Sequence, residues 1–294
     1  RAAHGSAEIT EVTRQRIGWQ REAARDLAEG RFGRAVAAFD REGAIAWSDG
    51  GEAARAALVA AWTRDTEADP AASRFVFAYT NADVDRLNAE LRAVRRGRGE
   101  LGSPDHRFET KHGAADFAVG DRVQITETDR RLGLHNGNAG TITGIDGATG
   151  TVRARLDGGR EVSWSAEEFA GFRHGYSGTI YKGQGKTLDH TYLLHTRHWR
   201  AATSYVALTR QRETAQVFVD YETAASAPQL AWQMGRGETR AASVAWATAD
   251  ELPAPFATRA GNPLTSTAMA LLPVGVDVVF DRTLVNRAVP AQVW

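Results

Sequence analysis

Residues 174–210, HGYSGTIYKGQGKTLDHTYLLHTRHWRAATSYVALTR, decide the reading of the fold. They read as a turn, a short polar helix over Tyr176–Lys182, a buried strand at His190–Leu194, and a helix at Ala201–Leu208 that runs out at Arg210. On the carboxyl side, Ala215–Tyr221 (AQVFVDY) has the β-branched and aromatic content of a strand. On the amino side, Arg74–Tyr79 (RFVFAY) is an apolar run of strand length. Thr80-Asn81-Ala82-Asp83 then supplies an N-cap and an acidic first turn. Val84, Leu87, Leu91 and Val94 share one face of the helix that follows, which ends near Gly97. Strand, cap and helix make half of a βαβ unit, so the expected class is α/β with a parallel sheet.

Between these two α/β stretches the texture changes. In residues 117–164, RVQIT, GTITGI, TVRARL and REVSW read as four strands separated at Asn136–Gly137, Asp146–Gly147 and Asp157–Gly158. Short strands with tight turns predict a small antiparallel β-barrel inserted into the α/β domain between its first and second strand–helix pairs. Upstream, Ala24, Leu27, Ala28, Phe32, Ala35, Val36 and Phe39 recur at helical spacing from about Ile17 to Phe39, and Ala53–Arg64 is a further helix. Leu230–Ala245 is a possible helix, and residues 252–294 carry several prolines and no motif.

Composition excludes some classes and leaves others open. At 294 residues and 43% hydrophobic content the chain is globular. Lys+Arg and Asp+Glu are both 36, so any case for nucleic acid rests on local clusters. Cysteine is absent, which excludes disulfides and thiolate metal sites and fits a reducing cytoplasm. The longest apolar run, Ala268–Val276, contains Pro273 and is too short to span a membrane, so no membrane partner is expected. The first residue is Arg, which suggests a fragment or a processed chain.

Gly183-Gln184-Gly185-Lys186-Thr187 imitates a phosphate-binding P-loop, but Ile180 stands where that loop needs its first glycine, and Tyr176–Lys182 reads as helix where it needs a strand. The P-loop reading is therefore rejected, and no acidic magnesium motif is visible. Arg92–Arg98 (RAVRRGR) is a basic cluster, read first as a solvated face and second as a phosphate contact; Arg130, Arg131 and His135 are further phosphate candidates. His190, His195 and His198 lack a companion carboxylate or thiol, so no metal site is assigned. Thr80–Asn81 lies at a strand's carboxyl end, where open α/β sheets place ligands, although Asn81 serves equally well as a cap.

GYSGTIYKGQGKT and SYVALTRQR together resemble the fifth and sixth motifs of superfamily-one DNA helicases of the RecD-like branch. Arg14–Gln15 resembles the fourth motif, AYTNADVDRLN the corresponding strand, and GDRVQITETDRRLGLHNGNAGT the barrel that branch inserts into its second motor domain. Over about residues 8–222 the chain resembles the helicase part of Ti-plasmid-type conjugative relaxases. The resemblance implies a RecA-like domain in three pieces: 1–106 with N-terminal helices, the inserted barrel at 107–172, and 173–222, followed by a tail at 223–294. It implies a 5′–3′ helicase that acts on single-stranded DNA with ATP and Mg²⁺, both held mainly by a first RecA-like motor domain not visible here. Arg210 and Arg14 would stabilise the transferring phosphoryl group, with Gln184, Gly185 and Gln15 at the nucleotide. Thr179, Tyr181, Lys182, Thr80 and Asn81 would hold the single strand. Tyr181 replaces the family's usual His and Gly183 its usual Ser. Without the P-loop half the chain is expected to be inactive alone. The competing reading is a non-catalytic single-strand-binding module built on the barrel; a self-sufficient P-loop enzyme using residues 183–187, rejected above, remains the outcome that ATP hydrolysis by the chain alone would favour.

Overall fold

The computed structural model describes residues 14–180 and 187–237. Tyr181, Lys182, Gln184 and Gly185 lie outside the described residues, as do the end of the expected 230–245 helix and the tail beyond residue 237. In chain order the elements are α1 (Gly18–Ala28), α2 (Phe32–Arg41), β1 (Ile45–Ser48), α3 (Gly51–Ala68), β2 (Arg74–Phe77), α4 (Asn81–Gly97), β3 (His106–Thr110), β4 (Gly113–Phe117) and β5 (Arg122–Ile125). They continue as β6 (Ala139–Asp146), β7 (Thr151–Leu156), β8 (Glu161–Ser165), β9 (Phe172–His174), β10 (Ser177–Gly178), β11 (Leu188–Leu194), α5 (Ala201–Leu208), β12 (Gln211–Asp220) and α6 (Ala227–Met234). The chain divides into two compact units; the described part of one is residues 14–42, 199–205 and 226–237, and that of the other is 43–180, 187–198 and 206–225.

In the first unit the single helical period over 17–39 is split in two. Gly30 takes φ +75°, a conformation that costs glycine little, and ends α1. Arg31 N then donates to Asp26 O at 2.7 Å, while its Nε meets the Asp26 carboxylate at 2.8 Å. The apolar stripe survives the break: Leu27, Phe32, Ala35, Val36 and Phe39 are all buried. α6 starts at a Ser226 cap, with Pro228 in its first turn. Its end packs on α2, since a Cβ at Gly235 would stand 3.1 Å from the Phe32 ring.

The second unit contains the expected parallel sheet, in the order β1-β12-β11-β2-β10. β11, α5 and β12 form a complete βαβ crossover, with Leu193 level with Val217 and with Phe77 on the other side. α3 and α4 share one apolar cluster with the sheet: Leu58, Trp62, Leu87, Leu91, Val76, Tyr192 and Phe218 belong to it. β1 escapes the sequence pattern because it is a four-residue edge strand with only Ile45 buried. Counting it, the insertion follows the second strand–helix pair.

Two further differences concern the motifs. Ser177–Gly178 is not helix but strand: both residues are buried, and they pair in parallel with Val76 and Phe77, so the helical reading is corrected over Tyr176–Thr179, while Ile180 is helical and Tyr181–Lys182 lie outside the described residues. One ground for rejecting a P-loop therefore falls, while Ile180 in place of glycine still stands against it. In the insertion, the four expected strands are β5 to β8. The structure adds β9 and the separate hairpin β3–β4. Pairing runs as an open series, β8-β7-β6-β5-β9, with no ladder between its two ends among the described residues. An antiparallel module is therefore present, and its closure into a barrel stays an expectation. Its core unites Phe117, Ile125, Ile142, Val152, Trp164 and Phe172. β6 and β7 approach so closely that a Cβ at Gly140 would lie 2.4 Å from the Arg155 carbonyl, so only glycine fits there.

Candidate functional site

The carboxyl edge of the parallel sheet brings together three of the residues singled out in the sequence. Thr80 ends the β2 connection and caps α4, its hydroxyl accepting from Asp83 N at 3.1 Å and donating to Asp83 Oδ2 at 2.6 Å. Asn81 follows on the first turn, exposed, with its Oδ1 accepting from Arg173 at 3.1 Å. On the neighbouring strand Thr179 emerges just past Gly178, whose carbonyl accepts from Ala78 N at 3.2 Å. Thr80, Asn81 and Thr179 thus share one end of two adjacent strands because β10 pairs with β2 in register.

The segment that delivers Thr179 is stitched to α4. Buried Asn88 donates to His174 O at 3.0 Å and accepts from Ser177 N at 2.8 Å; the Ser177 hydroxyl donates to Val84 O at 2.9 Å. Buried Asp121, at the start of the insertion's five-stranded sheet, accepts from Tyr176 Oη at 2.7 Å, Ala118 N at 2.7 Å and Arg92 Nε at 3.0 Å. Burial, reinforced by that carboxylate, pushes the Tyr176 phenol well above its usual range. The basic cluster is thereby explained. Arg92 and Arg96 also reach Asp105, Arg95 holds Glu100 and lies 5.8 Å over the Tyr176 ring, and Arg98 takes Glu67 and Thr63 O. Arg92–Arg98 is therefore not a freely solvated face: Arg92 and Arg96 tie α4 toward the insertion and Arg98 ties it to α3. In the insertion loop, Arg131 pairs with Asp129 at 3.3 Å.

His174 sits inside this joint, its ring 4.3 Å from Phe117 and its Nε2 3.1 Å from Asp116 O. Burial lowers its pKa below the usual imidazole range; Asp121 opposes this and Arg92 and Arg173 reinforce it. The folded state favours the neutral ring, so the unfolded chain binds the proton first. The contribution is fully present above about pH 6.5 and is lost as pH falls through the depressed folded value. We expect the thermal midpoint to fall between about pH 7.5 and 5, and to fall less in His174→Phe; equal shifts in the two proteins would remove His174 from this role.

The opposite, amino edge holds Arg210. It lies between α5 and β12, is only 3% exposed, and its carbonyl accepts from Leu188 N at 3.0 Å. β11 spans seven residues, so the two edges are separated by roughly 20 Å at about 3.3 Å per residue. Ile180 stands beyond the carboxyl edge and Thr187 before the amino edge, so the GQGK segment is flanked by described residues at opposite ends of the sheet. Near the amino edge the Ser73 hydroxyl and backbone hold the Asp189 carboxyl below its usual range, with Ser73 Oγ at 2.7 Å. Beside it, His190 Nδ1 is 2.7 Å from Thr214 Oγ1. Arg14 and Gln15 belong to the other unit, just ahead of α1, with Arg14 half-buried and Gln15 buried. Gln15 O accepts from Arg21 at 3.3 Å.

Sequence reading missed one feature of the carboxyl edge. Tyr79, immediately before Thr80, is 38% exposed, and its ring stacks on His198 at 5.3 Å and 22°. Its position as the last residue of an apolar strand run made it read as core. No helix among the described residues is long and apolar enough to cross a membrane.

These features define an α/β domain with a parallel sheet, an antiparallel insertion between its second and third strands in chain order, and candidate polar sites at both sheet edges. In sequence the chain is similar to conjugal transfer TraA proteins and to an ATP-dependent DNA helicase Pif1. It is 31% identical over 215 residues to the conjugal transfer protein TraA of Agrobacterium fabrum, a match that covers 73% of this chain and 19% of that protein. It is 32% identical over 219 residues to a probable TraA of Sinorhizobium fredii, again covering 73% and 19%. An ATP-dependent DNA helicase Pif1 of Bdellovibrio bacteriovorus is 28% identical over 152 residues, 45% of this chain and 33% of that one. The chain thus spans about a fifth of the length of the TraA relatives it matches. Among solved structures, Bacteroides Pif1 in complex with ADP-AlF3 and single-stranded DNA aligns with TM-score 0.48 and 18% identity, over 74% of this chain and 53% of that one. No protein-family model matches the chain.

Proposed function

We propose that this chain is the second motor domain of an ATP-dependent 5′–3′ DNA helicase of conjugative plasmid transfer. The observation that carries the reading is its homology to TraA proteins over nearly three quarters of its length. In this reading ATP and Mg²⁺ are held mainly by a first RecA-like motor domain. This chain adds Arg210 and Arg14 as charge stabilisers and Gln184, Gly185 and Gln15 as nucleotide contacts. Thr179, Tyr181, Lys182, Thr80 and Asn81 grip the single strand, and the insertion closes as a small barrel beside it. The separation of Arg210 from Thr80 and Thr179 by the length of a strand supports the division of labour: one edge for nucleotide, the other for DNA. The absence of cysteine agrees with a cytoplasmic setting.

The test is complementation. Alone, the 294-residue chain is expected to hydrolyse almost no ATP. Mixed with or fused to a P-loop motor domain from a TraA relative, it is expected to restore DNA-stimulated hydrolysis. Appreciable hydrolysis by the chain alone, lost in Lys186→Ala, would instead favour a self-sufficient P-loop enzyme. Salt-sensitive DNA binding with no restored turnover would favour the non-catalytic single-strand-binding module.

A further inference from the structure

We propose that the Tyr79–His198 ring pair is a stacking platform for a base of the bound single strand, a contact that lies outside the residues named above. The inference rests on the single-strand reading and adds to it a recognition chemistry that the phosphate contacts lack.

Three observations converge on it. The pair is placed by the sheet: Tyr79 leaves β2 and His198 follows β11, the adjacent parallel strand, so two connections far apart in sequence present rings at one edge. It stands next to the half-buried Thr80 and exposed Asn81, and Thr179 leaves the strand on the other side of β2. A strand whose backbone followed those residues would carry its bases past a partly exposed aromatic surface. The third observation is electrostatic. The chain has zero formal net charge, and several arginines around α4 and β9 are tied to carboxylates: Arg92 to Asp121, Arg95 to Glu100, Arg98 to Glu67 and Arg173 to Asp85, while Arg86 on α4 is exposed. Cationic attraction in that region is reduced, which favours contacts that do not depend on counterion release. Stacking is one, and it tolerates any base because every base has a π face.

A second ring pair on the same sheet serves as a contrast. Trp47 and Tyr221 stack at 5.5 Å and 15°, with Tyr221 48% exposed. Their chain neighbours Asp49, Asp220 and Glu222 are acidic, which repels a phosphate backbone. The Tyr79–His198 pair has Thr80 and Thr196 near it in the chain, and Arg197, whose guanidinium donates to Glu222 O.

The experiment compares fluorescence anisotropy of the 294-residue chain with labelled oligothymidylate and with an abasic strand of equal length. We expect oligothymidylate to bind about tenfold or more tightly, the scale of one stacked base, with a shallow dependence on salt. Tyr79→Ala should bring oligothymidylate down to the abasic level, Tyr79→Phe should keep the preference, and Tyr221→Ala should leave it unchanged. Circular dichroism of each variant checks that the fold is intact. Equal binding of the two strands by the wild type overturns the platform and leaves single-strand binding standing. Retention of the preference in Tyr79→Ala overturns the platform alone. Failure of the wild type to bind either strand overturns both.

Discussion

Arg210→Ala is expected to abolish ATP turnover in the reunited motor, by roughly 10³–10⁵-fold, the range over which arginine fingers act. The reason lies in what a guanidinium offers a transferring phosphoryl group: a permanent charge and a planar fork of donors, held by a rigid element so that no reorganisation is needed during reaction. Arg210 meets the second requirement through its place between α5 and β12, where Leu188 N holds its carbonyl at 3.0 Å. Arg210→Lys keeps the charge and loses the fork, so it should recover part of the rate and no more. Single-strand affinity is expected to stay within about twofold in both variants, because the DNA candidates lie at the other edge of the sheet. Arg210 is 3% exposed, so its removal also perturbs packing. A thermal melt of each variant therefore accompanies the rate measurement, and Arg210→Lys is the cleaner comparison. A reunited Arg210→Ala motor with wild-type turnover would take this residue out of catalysis.

The second large effect is structural. Asp121→Ala should destabilise the protein by about 3 kcal/mol, the scale on which one partner is removed from a buried ion pair. Asp121 is fully buried and receives Arg92, the Tyr176 hydroxyl and Ala118 N together. Its loss strands two buried donors and leaves Arg92 with Asp105 alone. The damage should extend beyond stability, since Tyr176 begins the segment that Asn88 and Ser177 fasten to α4 and that ends at Thr179. Tyr176→Phe removes a single hydrogen bond of this set and should cost about 1 kcal/mol. Urea denaturation of the three proteins tests the ranking; an Asp121→Ala protein as stable as the wild type would show that the clamp bears no weight.

The joint between α4 and the insertion also shows why charge patterns mislead when read alone. Arg92–Arg98 looks like a surface run because its partners, Asp105, Glu100, Asp121 and Glu67, are spread over 55 residues of sequence. Nothing in RAVRRGR announces them. Likewise β10 has two residues and no strand signature. It is a strand only because β2 offers it hydrogen bonds, and that pairing moved Thr179 from an expected helix to a sheet edge beside Thr80. Tyr79 was hidden for a related reason: an aromatic at the end of an apolar run reads as core until the neighbouring loop places His198 against it.

The local code of the chain was sufficient for the α/β class, for the strands expected at Arg74–Tyr79, His190–Leu194 and Ala215–Tyr221, which form at Arg74–Phe77, Leu188–Leu194 and Gln211–Asp220, for the Thr80 cap, and for the antiparallel insertion. Each of these depends on side-chain period, turn residues or capping within about ten positions, and such signals survive in one dimension. Tertiary structure alone decided the order of strands in the sheet, the two edges at which Arg210 and Thr179 stand, and the buried ion-pair network that joins α4 to the insertion. Those depend on hydrogen bonds and charge pairs between residues far apart in the chain, whose energies count only when folding excludes water from both partners at once.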